Sequence, residues 1–249
     1  MAGGYAKRMW PLTKNIPKPL LYVHNKRVIE HIIDNIHESG VRDVIVSTNE
    51  RFNDQFQAWL NQNNIRNITI ITEKSNSENN KLGAVRALTE LLKTLPPDDY
   101  LILAGDNIIK SNLAPMISFY RRINRPVVGL FEPVDKKQLQ AGSVAVIDRN
   151  KQIQKFIEKP KRSTKGKLGA LVYILPYQTL SKLDQYLAEG NEPDEPGRFI
   201  SWLHKREAVY GYPFASRVLD IGDLQLLAEA NKIQGKCSTR RKHKLISAR

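Results

Sequence analysis

Residues 28–104 alternate between helical and extended sequence patterns. Apolar residues recur at helical spacing in 28–36 and again in 52–60. Short apolar runs lie between and after these segments, at 44–47, 68–72 and 100–104. Helices that alternate with strands are typical of right-handed βαβ units. The pattern therefore predicts an α/β fold with a mostly parallel central sheet flanked by helices.

Length and composition limit the class of protein. A chain of 249 residues is long enough to bury a full core, as one domain or two small ones. No apolar run approaches the roughly 20 residues of a membrane span, and the N-terminal apolar residues are interrupted by lysines and prolines, unlike a signal peptide. The single cysteine, Cys237, excludes an internal disulfide and a multi-cysteine metal site. We therefore expect a cytoplasmic protein.

The net charge of +14 is unevenly distributed. Residues 232–249 contain seven Lys and Arg side chains and no acidic side chain, so half of the excess lies in this segment. We expect 232–249 to be a basic, disordered tail without a specific role. Contact with nucleic acid or an anionic membrane surface is the alternative. The remaining positive charge suits a protein with phosphorylated substrates.

The first 21 residues combine glycines, cations and prolines. Gly3 and Gly4 allow main-chain N–H groups to approach an anion, and three prolines exclude a continuous helix. Four cations follow within fifteen residues, namely Lys7, Arg8, Lys14 and Lys18. The alternative is a flexible basic N-terminus, but the segment also carries apolar residues such as Trp10 and Leu20. The combination indicates a loop that binds a polyphosphate.

The same segment resembles the signature loop of a known enzyme family. Residues 2–8, 11–13 and 17–21 are similar to the loop of the sugar-1-phosphate nucleotidyltransferases, in particular members like glucose-1-phosphate thymidylyltransferase. The resemblance implies a Rossmann-like fold in which Gly3 and Gly4 wrap a nucleoside triphosphate. It also implies that Arg8 holds the phosphates and that Lys18 neutralises charge at the reacting phosphate. It extends to about residue 231.

The start of the chain departs from the family pattern. In the family this loop follows a buried apolar strand, whereas only Met1 and Ala2 precede Gly3 here. A central strand of a parallel sheet is buried on both faces, so its loss is costly. We therefore expect a start placed at an internal methionine. In that case Met1 lies at the end of an empty strand position, unless another segment fills it.

Residues 73–80 form a polar stretch that leads into a helical pattern from residue 81. A helix start with a glycine offers N–H groups to a nucleobase edge, although an ordinary surface loop has the same composition. The resemblance implies that the Leu-Gly-Ala sequence at 82–84 contacts the base. On that basis we expect Asn76, Ser77 and Gly83 to bind the nucleotide.

Two aspartates lie at positions suited to a metal ion. Asp106, preceded by Gly105, follows the apolar run 100–104, and ligands gather at the carboxyl ends of strands in open α/β sheets. Capping of the next helix is the alternative for Asp106. Asp220 lies between apolar residues, whereas Asp223 is better placed to cap a helix. The resemblance implies that Gly105 belongs to the nucleotide site and that Asp106 and Asp220 share one Mg²⁺.

Helix–strand alternation stops after residue 131. Residues 142–148 and 152–158 flank a polar turn and predict a β-hairpin. The resemblance implies that 132–215 is an inserted, partly antiparallel part that binds the sugar phosphate through Gly142, Glu158 and Lys159. Two departures affect this part: the chain has Ala-Gly-Ser at 141–143 where Tyr-Gly-Val is common, and Ala-Leu-Val-Tyr at 170–173 where Thr-Gly-Ile-Tyr is usual.

Together these features predict a nucleotidyltransferase domain at 1–231. Its expected reaction is Mg²⁺-dependent transfer from a nucleoside triphosphate, with dTTP or UTP favoured, to a sugar 1-phosphate. A cytidylyltransferase that acts on a small phosphoryl alcohol or phosphonate is one alternative, and a catalytically impaired nucleotide-binding homologue is another. The sequence leaves open whether the protein forms a homo-oligomer, and it favours neither a membrane nor nucleic acid as a partner.

Overall fold

The described part of the chain contains seven α-helices and twelve strands, besides five short 3-10 helices. The structure, a computed structural model, describes residues 1–63, 65, 67–133, 136–162, 164–216, 218–221 and 227–228, with the backbone alone for Lys136 and Asp220. The α-helices are α1 (Val28–Glu38), α2 (Asn53–Asn63), α3 (Ala84–Lys93), α4 (Ala114–Ile123), α5 (Lys136–Ala141), α6 (Tyr177–Ala188) and α7 (Pro196–Leu203). The strands are β1 (Tyr22–Val23), β2 (Lys26–Arg27), β3 (Val44–Asn49), β4 (Ile68–Glu73), β5 (Tyr100–Leu103), β6 (Asn107–Ile109), β7 (Val127–Phe131), β8 (Ser143–Ile147), β9 (Ile153–Glu158), β10 (Lys167–Leu175), β11 (Tyr210–Pro213) and β12 (Val218–Asp220).

The larger sheet is built around β10. Its strands follow the order β11-β7-β10-β8-β9, and β5 also pairs with β10. Strand β10 is antiparallel to β5, β7 and β8, whereas β11 is parallel to β7. The predicted α/β class with a central sheet flanked by helices is confirmed. The pairing in this sheet is mixed, because the nine-residue β10 runs against all three of its neighbours.

Strands β3 and β4 form a separate parallel pair. Their register runs from Val44 opposite Ile68 to Asn49 opposite Glu73. Both strands therefore end side by side, next to the N-terminal loop. Helix α1 packs on this pair through Ile29 and Ile33, which share a core cluster with Val46, and its residues Val28, Ile32 and Ile36 are buried in the core of the larger sheet.

Strands β3 and β5 do not pair with each other, and Met1 and Ala2 lie between their carboxyl ends. The Ala2 N–H donates to the Ser47 carbonyl at 2.7 Å, and the Met1 amino group donates to the Leu103 carbonyl at 2.9 Å. These are the contacts of a strand between two neighbours. The rest of that strand position is a cavity of about 360 Å³. As expected, Met1 lies at the end of a strand position that no described residue fills.

Much of the wall of this cavity is apolar. They are lined by side chains of α1 and α3, among them Ile29, Ile33, Leu88, Leu91 and Leu92. On its two sides lie the unpaired edges of β3 and β5.

Among the described helices, none is long and apolar enough to span a bilayer.

Candidate active site

A second cavity, of about 550 Å³, lies where the N-terminal loop meets the ends of β4 and β5 and the start of α3. We call it the main cavity. Eight residues singled out in the sequence line it, namely Gly3, Gly4, Lys7, Arg8, Lys18, Gly83, Gly105 and Asp106. Of the other singled-out residues with a described side chain, Asn76, Ser77, Gly142, Glu158 and Lys159 are not among its lining residues. The N-terminal loop, the predicted base loop and the strand end therefore share one concave space.

Buried side chains and hydrogen bonds fix the course of residues 1–21. Met9 is fully buried, and the buried Thr13 hydroxyl donates to the Ala6 carbonyl at 2.8 Å. The Tyr5 hydroxyl lies 2.9 Å from the Ser75 hydroxyl, and the Asn49 side-chain amide donates to the Gly3 carbonyl at 2.9 Å. The segment is thus a braced loop, which does not support the alternative of a flexible basic N-terminus.

Cations line one end of the main cavity. Lys7 and Arg8 are exposed and, in the described part of the chain, neither side chain makes a hydrogen bond or an ion pair. Lys18 is only 13% exposed, and its ammonium group lies 2.7 Å from a carboxylate oxygen of Asp106. This end suits a polyphosphate, since two cations are available to it without breaking any described contact.

The backbone brings Asp106 and Asp220 together. Strand β12 is antiparallel to β6 with Asp220 opposite Asn107, and the Ile221 N–H donates to the Asp106 carbonyl at 3.1 Å. The helix-capping alternative for Asp106 is not supported, because the next helix begins at Ala114, whose N–H donates to the Asn112 side chain. Asp223 lies outside the described residues.

The donor set at this point suits Mg²⁺. Mg²⁺ takes oxygen ligands and uses one or two carboxylates, with water in its other positions. Asp106 supplies one carboxylate, a third exposed, at the edge of the main cavity. Within the described residues no three His, Cys, Asp or Glu side chains converge, so a carboxylate-rich cage such as Ca²⁺ takes is not formed there. That Asp106 and Asp220 share the ion stays a prediction.

The opposite end of the main cavity is formed by the start of α3. Gly83 precedes the helix with φ of 83°, and a Cβ atom there would lie 2.7 Å from the Pro193 carbonyl oxygen. The Val85 N–H donates to the same carbonyl at 2.7 Å. Lys81 pairs with Glu78 at 3.0 Å and with Asp194 at 2.7 Å. Residues 193–194 therefore close this end.

Nearly the whole chain matches one protein family. Residues 1–236 match the family model described as nucleotidyl transferase. The chain belongs to the nucleotidyl transferase family. The resemblance carried by residues 1–21 is confirmed, and the protein is an enzyme of the nucleotidyltransferase class.

Solved structures share the transferase fold. One reported as a glucose-1-phosphate thymidylyltransferase from Bacillus anthracis has a TM-score of 0.80 at 22% identity, over 93% of this chain and 92% of that one. A UDP-glucose pyrophosphorylase from Acinetobacter baumanii has a TM-score of 0.75 at 20% identity, over 100% and 97%. The CTP:phosphocholine cytidylyltransferase of Streptococcus pneumoniae has a TM-score of 0.73 at 20% identity, over 94% and 96%. At these identities the likeness is one of fold.

Glu73 is a titratable residue of the main cavity that sequence reasoning missed. It is the last residue of β4 and lines the main cavity beside Gly3. Burial raises the pKa of its carboxyl group to about 7, although the Met1 ammonium group acts in the opposite direction. Its position at the carboxyl end of a strand was the available signal, since the same rule had selected Asp106.

Asn76 and Ser77 are not lining residues of the main cavity and are held by a neighbouring side chain. The Asn80 side chain binds both, by donating to the Asn76 side-chain oxygen and by accepting from the Ser77 N–H. Glu78 and Lys81, from the same turn, line the cavity instead. A nucleotide-binding role for Asn76 and Ser77 stays a prediction.

The residues predicted to hold the sugar phosphate already have partners. The Ser143 hydroxyl donates to Glu158, and Lys159 pairs with Glu195. The Gly142 carbonyl accepts from the Lys159 N–H at 3.0 Å. Leu171 lines the main cavity, and it is the leucine that stands where the family resemblance implies a glycine.

Proposed function

We propose that this transferase moves a nucleotidyl group from dTTP or UTP to a sugar 1-phosphate, in a Mg²⁺-dependent reaction that yields a nucleoside-diphosphate sugar and pyrophosphate. The observation that carries the proposal is the Lys18–Asp106 pair, which lies beside a braced glycine loop at the cationic end of the main cavity. The structures whose reported names specify a thymidylyltransferase and a UDP-glucose pyrophosphorylase support the choice of bases and acceptor. We place the enzyme in the cytoplasm.

In this scheme a phosphate oxygen of the acceptor attacks the α-phosphorus in line. A new P–O bond forms as the bond to the bridging oxygen of the β-phosphate breaks, and pyrophosphate carries the electron pair away. Reactions of this type need positioning and charge neutralisation more than a protein nucleophile. Arg8 holds the leaving pyrophosphate, and Lys18 offsets charge at the α-phosphate. Lys159 exchanges Glu195 for the acceptor phosphate.

Asp106 and Asp220 are the residues that would hold Mg²⁺. The ion, when bound, supplies neutralisation of charge on the reacting phosphate and leaving oxygens. The side-chain oxygens of Asp106 are within reach of Lys18, so the carboxylate also orients that lysine towards the main cavity. The glycines of the loop leave its N–H groups free of side-chain cover for the triphosphate.

A second candidate is cytidylyl transfer to a small phosphoryl alcohol such as phosphocholine. It is favoured by Leu171, which takes up space that a hexose ring requires, and by the fold shared with the phosphocholine cytidylyltransferase. A smaller acceptor would pass Leu171 more easily.

Pyrophosphate release separates the two candidates. The enzyme is incubated with dTTP, UTP, CTP, GTP or ATP, each with glucose 1-phosphate, other sugar 1-phosphates or phosphocholine, with and without Mg²⁺. We expect Mg²⁺-dependent release with dTTP or UTP and a sugar 1-phosphate. Release with CTP and phosphocholine alone would establish the second candidate. Nucleotide binding without release from any pair would establish an impaired homologue.

A further inference from the structure

The open strand position between β3 and β5, which we call the strand cavity, is bordered by main-chain groups that face into it. The Ala104 N–H, at the end of β5, donates to β10. The alternate residues Leu101 and Leu103 therefore direct their N–H and carbonyl groups to the opposite side, into the strand cavity. In β3 the Val44 N–H donates on the β4 side, so Ile45 likewise faces the strand cavity. No described strand pairs with either edge there, although such groups normally have partners.

The bonds of Met1 set the direction and length of a strand that would fit. The Met1 amino group donates to the Leu103 carbonyl at 2.9 Å, and the Met1 carbonyl accepts from the Gly105 N–H at 2.7 Å. A residue that bonds to the residues before and after its partner is paired in parallel, so Met1 lies parallel to the end of β5. The rest of β5, Tyr100–Leu103, borders the strand cavity. At about 3.3 Å per residue, roughly five residues with their carboxyl end at Met1 fill this length.

Apolar side chains of two helices form much of the wall. Ile29 and Ile33 belong to α1, and Leu88, Leu91 and Leu92 belong to α3. A strand that contacts helices on both of its faces buries all of its side chains, and it therefore needs a continuous apolar run rather than an alternating one. The strand cavity thus suits an extended and uninterrupted apolar peptide.

The two ends of the strand cavity differ in charge. The Met1 amino group lies at the carboxyl end, where burial lowers its pKa to about 6 and a neighbouring carboxylate would favour its charged form. The opposite end is acidic overall and is lined by Arg42, Asp43, Asp98 and Asp99. A peptide with a cationic amino end and a free carboxylate therefore meets complementary charges in the same direction that the pairing requires.

We propose that the strand cavity binds a short apolar peptide with a free carboxyl terminus, which enters from a separate molecule and adds as a parallel strand between β3 and β5. Such a peptide forms main-chain hydrogen bonds with two sheet edges and buries its side chains against α1 and α3, as in recognition by strand addition. The inference does not depend on the proposed function, because the peptide occupies the strand cavity and not the main cavity.

Binding of a designed peptide to the full chain tests the proposal. The peptide Lys-Lys-Val-Ile-Val-Ile-Val carries a fluorophore at its amino end and a free carboxylate, and its anisotropy is measured at pH 6. Five apolar residues fill the strand cavity and the lysines reach the acidic end. We expect saturable binding with one peptide per chain and a higher melting temperature of the complex.

Two further peptides separate strand addition from unspecific apolar adhesion. Proline in place of the central valine keeps the apolar character but removes a main-chain donor and disfavours pairing, so we expect binding that is weaker by about tenfold or more. An amide in place of the terminal carboxylate removes the charge that meets the Met1 amino group. We expect this peptide to bind more weakly by about threefold.

A matched pair of protein variants locates the binding site. Leu91→Lys places a charge in the wall of the strand cavity, at a residue that is only partly buried, and should weaken binding by about tenfold or more. Leu180→Lys makes the same change at a partly buried leucine of α6 that does not line the strand cavity, and it should keep the wild-type affinity. Circular dichroism checks that both variants are folded. If Leu91→Lys does not fold, the proline peptide decides.

Three results would overturn the proposal. The first is equal affinity for the apolar peptide and its proline variant, and the second is wild-type affinity in folded Leu91→Lys. The third is a chain that sediments as a dimer and does not bind the peptide, which would assign the strand cavity to a second copy. The pyrophosphate assay reports separately on nucleotidyl transfer, so a failure of either experiment leaves the other interpretable.

Discussion

At the scale of single residues, the Lys18–Asp106 pair is the contact closest to the expected chemistry. The pair is partly shielded from water and joins the N-terminal loop to the end of β5. Removal of the Asp106 charge leaves the cations of the loop in place. Nucleotide binding should therefore respond less than turnover does.

We predict that Asp106→Asn lowers turnover by on the order of 10²-fold or more, because it removes a charged ligand of the expected metal ion. Pyrophosphate release and the nucleotide dissociation constant are measured in parallel. Asp34→Asn, at an exposed carboxylate paired with Lys26, is the matched control and should retain turnover. Wild-type turnover in Asp106→Asn would remove Asp106 from the metal site.

The two loop glycines provide a second matched pair. A Cβ atom on Gly3 meets the Glu73 carboxyl group, whereas one on Gly4 has no heavy atom within 4 Å. We predict that Gly3→Ala displaces the carboxyl end of the flexible Glu73 side chain and lowers the free energy of unfolding by about 0.5–1 kcal/mol. Gly4→Ala should change it by less than about 0.5 kcal/mol. Denaturant unfolding measures both, and equal effects would contradict the close approach at Gly3.

At the scale of elements, the unfilled strand position between β3 and β5 is the feature with the largest expected effect on stability. The Met1 amino group makes the bond to Leu103 that a peptide N–H would make. A strand placed before Met1 would pair with both edges and bury apolar side chains against α1 and α3. Each fully buried side chain contributes about 1.5–3 kcal/mol, against about 1–2 kcal/mol of backbone entropy per ordered residue.

We predict that five apolar, β-branched residues added before Met1 raise the free energy of unfolding by about 2–5 kcal/mol, since burial exceeds the ordering cost. The measurement is denaturant unfolding of the extended and original chains. A Gly/Ser extension of equal length is the control and should give no gain. If both extensions behave alike, the cavity does not accept a strand.

The sequence predicted some elements far better than others. Helix α1 and strands β3 to β5 followed from periodicity, because each buries one continuous apolar face or run. The antiparallel pairing of β10 depends on which strands are nearby, which local pattern does not encode. The contact between the ends of β6 and β12 likewise required a family resemblance, since 114 residues separate Asp106 from Asp220.

The residues of the candidate site likewise differ in how far the sequence predicted them. The glycine loop was predictable because the chemistry of phosphate binding imposes its residue types. Glu73 was missed because it looks like any polar strand end until the fold places it beside Gly3. The partners of Lys159 were also invisible, since Glu195 comes from a turn 36 residues away.

At the scale of the whole molecule, two partly buried ionisable groups couple folding to pH. The Met1 amino group has its pKa lowered from 8.0 to about 6 by burial, so stability is lost as pH falls from 8 towards 6. The Glu73 carboxyl group has its pKa raised from 4.5 to about 7, so stability is lost as pH rises from 4.5 towards 7. The two effects oppose each other between pH 6 and 7.

We predict that the free energy of unfolding falls from pH 4.5 to about 6 and recovers above pH 7, as these two shifts require. Denaturant unfolding across this range measures it. Glu73→Gln should abolish the fall and keep the recovery, because the amide does not titrate. An unchanged fall in Glu73→Gln would assign it to other carboxyl groups.

The bridge formed by Met1 and Ala2 has a consequence for the lifetime of the enzyme. These two residues make the described main-chain bonds between the β3 side and the β5 side of the unfilled position. Residues of both sides line the main cavity, so a bound nucleotide would contact both of them. Such binding favours the folded state by mass action. Bound nucleotide should therefore slow the proteolysis of the folded protein.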